Sequence, residues 1–328
     1  MLNNRTTRNL VIAVLVLGGL FLLSEKFSDS AQDRSFRSIV MKMDTSTIVA
    51  YTLQHPYDTS GVITFDRDPD GWHVAQGKYR YKADDNTVNA FLGQFEEIIT
   101  MQYAGPSDAV KQRYEVDDAQ GYKLEFEMAD GSKQSAIIGK LGFKNDPAGR
   151  QSGKITYLRV NGEDDVYAAS NMLGNDVRVE FNHWRPRYIW TGSSGSWEKL
   201  ILREGDNTMT LEKKGTVWTM MGDTVIEERM ESYLRAISTG LIANFNNDAD
   251  VSGLEPIKSL VIYDSALDGP RSINIFELPS GQYALQSQMN PESVFAFDMA
   301  VDYRRMFRPP SYFVAVEKLM DNPGLQAQ

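Results

Sequence analysis

The side chains best suited to grip a partner are arginines set among aromatics. The stretches His183-Trp-Arg-Pro-Arg-Tyr-Ile-Trp190 and Tyr303-Arg-Arg-Met-Phe-Arg-Pro-Pro-Ser-Tyr-Phe313 each interleave guanidinium groups with rings. A guanidinium presents a rigid fork of donors that fits carboxylate or phosphate, and Arg, Trp and Tyr dominate the energetic centres of protein interfaces. Trp184, Arg185, Arg187, Tyr188, Arg304, Arg305 and Arg308 are therefore the candidate partner-binding residues. In the competing reading, the same arginines cap helix ends and fold back onto the protein's own carboxylates.

Other constellations point to less. Asp66-Arg-Asp-Pro-Asp-Gly71 opens like a calcium loop, but the twelfth place, where a bidentate Glu would close the shell, is Gly77. A polar turn between strands accounts for it equally well. The neighbouring carboxylates Asp84 and Asp85, or Asp164 and Asp165, point apart on a strand and are separated on a helix, so neither pair resembles an acid/base couple. His55, His73 and His183 lack helical metal-ligand spacing, and the absence of cysteine removes thiolate metal sites, disulfides and cysteine nucleophiles. Thr191-Gly-Ser-Ser-Gly-Ser196 lacks the Gly-Lys-Ser/Thr ending of a phosphate loop and reads as a polar linker. No catalytic residue, cofactor or metal is expected.

The elements that must position these residues come as an internal echo. Ile63 to Val74 aligns without a gap on Met209 to Met220, placing Trp72 opposite Trp218. A spacing above a hundred residues implies tandem domains, since solenoid repeats recur every few tens of residues. Both tryptophans lie in alternating strands, where a large ring is most often core; a sugar-stacking role is the alternative. Beyond each Trp a helical stripe follows, Val88, Phe91, Leu92, Phe95, Ile98 and Ile99 in the first copy, and Ile226, Met230, Tyr233, Leu234, Ile237 and Leu241 in the second. Asp84 to Asn86 offer N-cap oxygens, and Thr224 with Glu227 has capping-box spacing. Hairpins then turn at Asp130-Gly131 and Asp268-Gly269, and a last hairpin closes each copy. The expected fold class is α+β, two duplicated domains with mostly antiparallel sheets, spanning 45–190 and 191–312.

Composition is ordinary for a globular chain of this length, with 42% hydrophobic and 24% charged residues in 328. Residues 1–23 carry only Arg5 and Arg8, so 32 basic against 44 acidic residues remain, a net charge of −12 that excludes a general nucleic-acid surface. The run Leu10 to Leu23 is uncharged and apolar, with those arginines before it and Glu25 and Lys26 after it. As a helix, the uncharged stretch Asn9 to Ser24 spans ~24 Å, a little under a ~30 Å hydrocarbon core. Arginines on the amino-terminal side orient it amino end inside. Ser28-Asp-Ser30 is a poor cleavage site, which favours a retained anchor over a removed signal peptide. Residues 1–24 are thus read as cytoplasmic tip and transmembrane helix, 25–44 as a stem, and 313–328 as a tail.

The order of anchor, Tyr51-Thr-Leu53 strand, Trp-centred strand pair, acidic turn at Ala83 to Asp85, Ile137-Ile-Gly139 strand and Arg-rich junction from Trp184 to Tyr188 resembles the bacterial domain-of-unknown-function family 4340 over roughly residues 40–310. Pro186 in the junction, and the lack of an acidic turn in the second copy, depart from that pattern. The resemblance implies a single-pass accessory protein of the bacterial inner membrane, its bulk outside the cytoplasm. As partners it implies the permease and auxiliary extracytoplasmic subunit of an ABC-type transporter of the gliding-motility kind. An envelope ligand-binding or adhesin-like module is the alternative, ahead of a hydrolase acting on envelope polymers. On this reading the protein stays in the membrane pellet after carbonate washing with residues 1–23 intact. Release with a new amino terminus near Ser30 is the outcome that sinks it.

Overall fold

A computed structural model describes residues 37–145, 151–170, 173–239 and 244–315. The apolar run Leu10 to Leu23, Leu241 and all of the tail beyond residue 315 lie outside the described residues. Among those described, no helix is long and apolar enough to cross a membrane. The chain divides into two compact units between Trp184 and Arg185, earlier than the expected break at 190/191. The reason lies in side-chain burial: Ile189 and Trp190 belong to the core of the second unit.

The first unit runs β1 (Ile39–Lys42), β2 (Ile48–Gln54), β3 (Ile63–Asp68), β4 (Gly71–Gln76), β5 (Tyr79–Lys82), helix α1 (Asp85–Gly93), β6 (Glu97–Gly105), α2 (Asp108–Arg113), β7 (Tyr122–Met128), β8 (Lys133–Asn145), β9 (Gln151–Val160), β10 (Val166–Ala169) and α3 (Leu173–Asp176). Its strands form one antiparallel sheet in the order β5-β4-β3-β2-β7-β8-β9-β10-β6-β1. The second unit runs β11 (Trp197–Glu204), β12 (Asn207–Lys214), β13 (Val217–Met220), β14 (Asp223–Thr224), α4 (Glu227–Thr239), β15 (Lys258–Asp264), β16 (Arg271–Glu277), β17 (Tyr283–Ser287), β18 (Asn290–Ala296), α5 (Asp302–Met306) and α6 (Pro310–Phe313). Its order is β14-β13-β12-β11-β15-β16-β17-β18, the same as the first eight positions of the other sheet when each strand is matched by chain order. The fold class is α+β and rich in sheet.

Alternation builds each core. Leu53, Ile63, Phe65, Trp72, Val74, Leu124 and Phe126 point to one face of the first sheet and are buried with Val88, Phe91 and Leu92 of α1. Leu200, Leu202, Leu211, Trp218, Leu260 and Ile262 do the same in the second, against Met230, Tyr233 and Ile237 of α4. A sheet with one apolar face must cover it, and the helix is the cover. Asp130-Gly131 and Asp268-Gly269 make the expected hairpin turns, with Gly131 and Gly269 at φ +82° and +111°.

Two expectations fail at helix ends. Helix α1 stops at Gly93, and Ile98 and Ile99 lie in β6, where Ile98 is buried and Ile99 is 53% exposed. The spacing of Phe91, Phe95 and Ile98 fits a helical face by coincidence; the opposite exposure of two adjacent isoleucines is the period of a strand. Thr224 ends β14, where it pairs with Thr219, and the first helical hydrogen bond of α4 runs from Met230 N–H to the Ile226 carbonyl. The residue at the cap position is therefore Ile226, and the capping box does not form. In the first unit the Asp84 carboxylate does cap, accepting from Thr87 N–H at 2.8 Å.

Trp72→Ala and Trp218→Ala each remove a packed aromatic and should cost ~3–5 kcal/mol in urea unfolding of the intact chain. Asp84→Ala should cost ~1 kcal/mol, the usual effect of losing an N-cap. A Trp72→Ala loss no larger than that of Asp84→Ala would show that the ring is not central to the core.

Candidate functional site

The junction arginines do not form one exposed patch. Trp184 is 1% exposed and packs edge-on against Phe65 (5.1 Å) and Phe91 (5.2 Å), while its indole N–H donates to the Arg178 carbonyl at 2.9 Å. Arg185 is 2% exposed. Its guanidinium lies 4.0 Å over the Phe245 ring and donates to Asn247 Oδ1 (2.5 Å) and Ser293 Oγ (3.1 Å). The following backbone is held by the β17–β18 hairpin: Ser287 Oγ donates to the Ile189 carbonyl (2.6 Å) and Asn290 Nδ2 to that of Pro186 (2.9 Å). Trp184 and Arg185 are thus core residues, which corrects their assignment as partner contacts. Only Arg187 and Tyr188 of that group face solvent.

The carboxyl-terminal group keeps its cations accessible. Arg304 and Arg305 are exposed and Arg308 is half-buried, its guanidinium 4.8 Å over the Tyr312 ring. The aromatics between them anchor the segment: Phe307 and Phe313 are buried, and Tyr233 of α4 donates its hydroxyl to the Met306 carbonyl at 2.6 Å. Burial pushes the Tyr233 phenol well above its ordinary pKa. Helices α5 and α6 are thereby fixed beside the β11–β12 hairpin. Together they line a cleft of ≈ 370 Å³, with Leu202, Met209, Phe307, Pro309 and Pro310 as its apolar wall and Arg304 and Arg308 among its lining.

Glu204 also lines that cleft, but its charge is taken up internally. Lys258 ion-pairs with it, and the Tyr303 hydroxyl donates to Glu204 Oε2 at 3.1 Å. The Lys258 ammonium stands 4.7 Å from the centre of the Tyr303 ring, and burial lowers its pKa. Three cations and one anion leave the cleft region formally at +2, on a chain whose total is −10. Sequence reasoning missed Glu204 and Lys258. A signal existed: Lys258 stands in strand register with the buried Leu260 and Ile262, a cation where the alternation calls for an apolar residue.

The remaining candidates resolve into structural work. Asp84 caps α1 while Asp85 accepts from Trp72 N–H at 2.8 Å, so the two carboxylates serve different donors. Asp164 pairs with Lys111, and Asp165 accepts from the Tyr103 hydroxyl at 2.8 Å. Asp66 pairs with Arg80 at 2.5 Å, and Asp68 accepts from Asp70 N–H, fixing the hairpin turn. Thr191 to Ser196 lies within the second unit, where Ser193 caps a short turn leading into β11. Among the described residues no group of three or more His, Cys, Asp or Glu could hold a metal ion.

A family described as "Domain of unknown function (DUF4340)" matches residues 72–256, more than half of the chain. The chain belongs to this family. The match begins at Trp72 and continues past the division at Trp184 into the second unit. No curated protein and no solved structure matches the chain.

The burial difference within the junction group is measurable. Arg185→Ala should lower the stability of the folded chain by ~2–3 kcal/mol, the range for hydrogen bonds to a charged group, whereas Arg187→Ala should stay within ~0.5 kcal/mol. Equal, small losses in thermal unfolding would contradict the role given to Arg185.

Proposed function

We propose that this chain is an accessory subunit of the bacterial inner membrane, crossing once through Leu10 to Leu23 with its amino end inside. A stem from residue 25 leads into β1, shorter than the expected 25–44 because Val40, Met41 and Met43 already belong to the first core. It carries two duplicated α+β domains outside the cytoplasm, where they scaffold an ABC-type transporter by binding its permease or auxiliary extracytoplasmic subunit. The single observation carrying the binding role is the apolar cleft with Arg304 and Arg308 in its lining. Anchored aromatics, an apolar wall and guanidinium groups on an otherwise acidic chain are what a hot spot for an acidic partner surface requires. The shared order of eight strands supports the duplication, and the uncharged apolar run with its preceding arginines supports the anchor. The transporter as partner follows from the family resemblance.

The work done here is association, and the test measures association. Full-length tagged protein, purified from gently solubilised membranes, should bring a transporter permease or auxiliary subunit with it. Arg304→Ser with Arg308→Ser should cost about 1 kcal/mol, mostly the stacking of Arg308 on Tyr312, and should reduce the partner's recovery sharply. If the native protein recovers no transporter subunit, the scaffold reading fails. If the double variant recovers as much as the native protein, the cleft is not the contact.

A further inference from the structure

The two units treat their equivalent tryptophans differently. In the first, the Trp72 indole N–H donates to Asn89 Oδ1 on α1 at 3.1 Å, and its backbone N–H donates to Asp85 Oδ1. That close approach needs Gly71, because a Cβ there would come within 2.7 Å of the Asp85 carboxylate. Helix and strand are sealed together.

The second unit lacks each part of that seal. Val217 stands where Gly71 does, and the matching helical hydrogen bonds, Val88 N–H to Asp84 and Met230 N–H to Ile226, put Glu227 and Glu231 at the places of Asp85 and Asn89. Trp218 is 8% exposed, and among the described residues its indole N–H meets no acceptor, although, unlike those of Trp190 and Trp197, it is not closed off from solvent. It lines a groove of ≈ 730 Å³ between α4 and the β12–β13 hairpin, with Lys213, Glu227, Glu231, Leu234 and Arg235 around it.

We propose that this groove binds a neutral oligosaccharide. The charged residues lining it are two acids and two bases, so an ion gains nothing there. Carboxylates that only accept stand beside indole and cationic groups that only donate. Sugar hydroxyls satisfy both kinds, and the apolar faces of the sugar rings suit Val217 and Leu234. An extended peptide would instead seek a sheet edge, and the edge strand here, β14, is two residues long. The proposal is independent of the transporter contact, which lies in a different cleft.

Full-length protein is titrated calorimetrically with N-acetylchitotetraose and with maltotetraose, up to ~10 mM, above the millimolar limit of weak binding. At least one sugar should bind. Glu231→Asn gives Trp218 the acceptor that Asn89 gives Trp72, and should weaken binding about tenfold or more. Trp218→Phe, which keeps a ring and removes the N–H, should also weaken it. Because Glu231 is exposed, Glu231→Asn tests the groove even where Trp218→Phe fails to fold. The proposal is overturned if neither sugar binds the native protein, or if Glu231→Asn binds as the native protein does.

Discussion

Each unit depends on one backbone tie between its Trp strand and the segment entering its helix. The Trp72 carbonyl accepts from Ala83 N–H at 2.8 Å, and the Trp218 carbonyl accepts from Val225 N–H at 3.1 Å. The next N–H along, from Asp84 or Ile226, goes in both units to the carbonyl of a distant aromatic, Trp184 or Phe313, at 2.8 Å. A sheet with one apolar face can be covered in many ways, and these two bonds select one. They hold the helix start against the strand and bring the closing segment of the unit over the same core. Because buried backbone groups must be paired, loss of either partner exposes the other to a desolvation cost of ~1–3 kcal/mol. Trp184 and Phe313 are buried because the closing segments are held there.

The two arginine groups meet different fates within the second unit. Arg185 is the first residue of that unit and is buried in it, 2% exposed. A buried cation is tolerable only with good partners. Stacking on Phe245 and bonding to Asn247 and Ser293 supply them. Arg304 and Arg308 precede Phe313 at a distance, on short helices fixed by Tyr233 and Phe307, and remain accessible. Similar composition at the two ends thus yields a buried structural cation in one place and solvent-accessible guanidinium groups in the other.

Much of this was legible in the sequence, for reasons that can be named. The hairpins at Asp130-Gly131 and Asp268-Gly269 were readable because turn chemistry is local. The Trp72 and Trp218 equivalence was readable because alternation and spacing both repeat. The ends of the helices were not: Ile98 and Ile99 continue a helical spacing past Gly93, and only pairing of β6 with β1 and β10 decides the matter. Burial of Arg185 was equally hidden, since Phe245, Asn247 and Ser293 are remote in sequence. Glu204 and Lys258 went unnoticed for the same reason, although the register of Lys258 carried a hint.

What separates the units is the side chains laid on a common frame. The same strand order and the same backbone tie recur, so the space beside the Trp is set by three positions: Gly71, Asp85 and Asn89 in one unit, Val217, Glu227 and Glu231 in the other. A glycine admits the helical carboxylate to the strand, and an amide of suitable length reaches the indole. A valine leaves no room for a carboxylate to reach the strand as Asp85 does, and a glutamate side chain brings charge that resists desolvation in a closed contact. The sealed version gains packing and two hydrogen bonds for its own stability. The open version forgoes them and leaves a donor at the wall of a groove, an arrangement that a ligand can complete and the protein by itself does not.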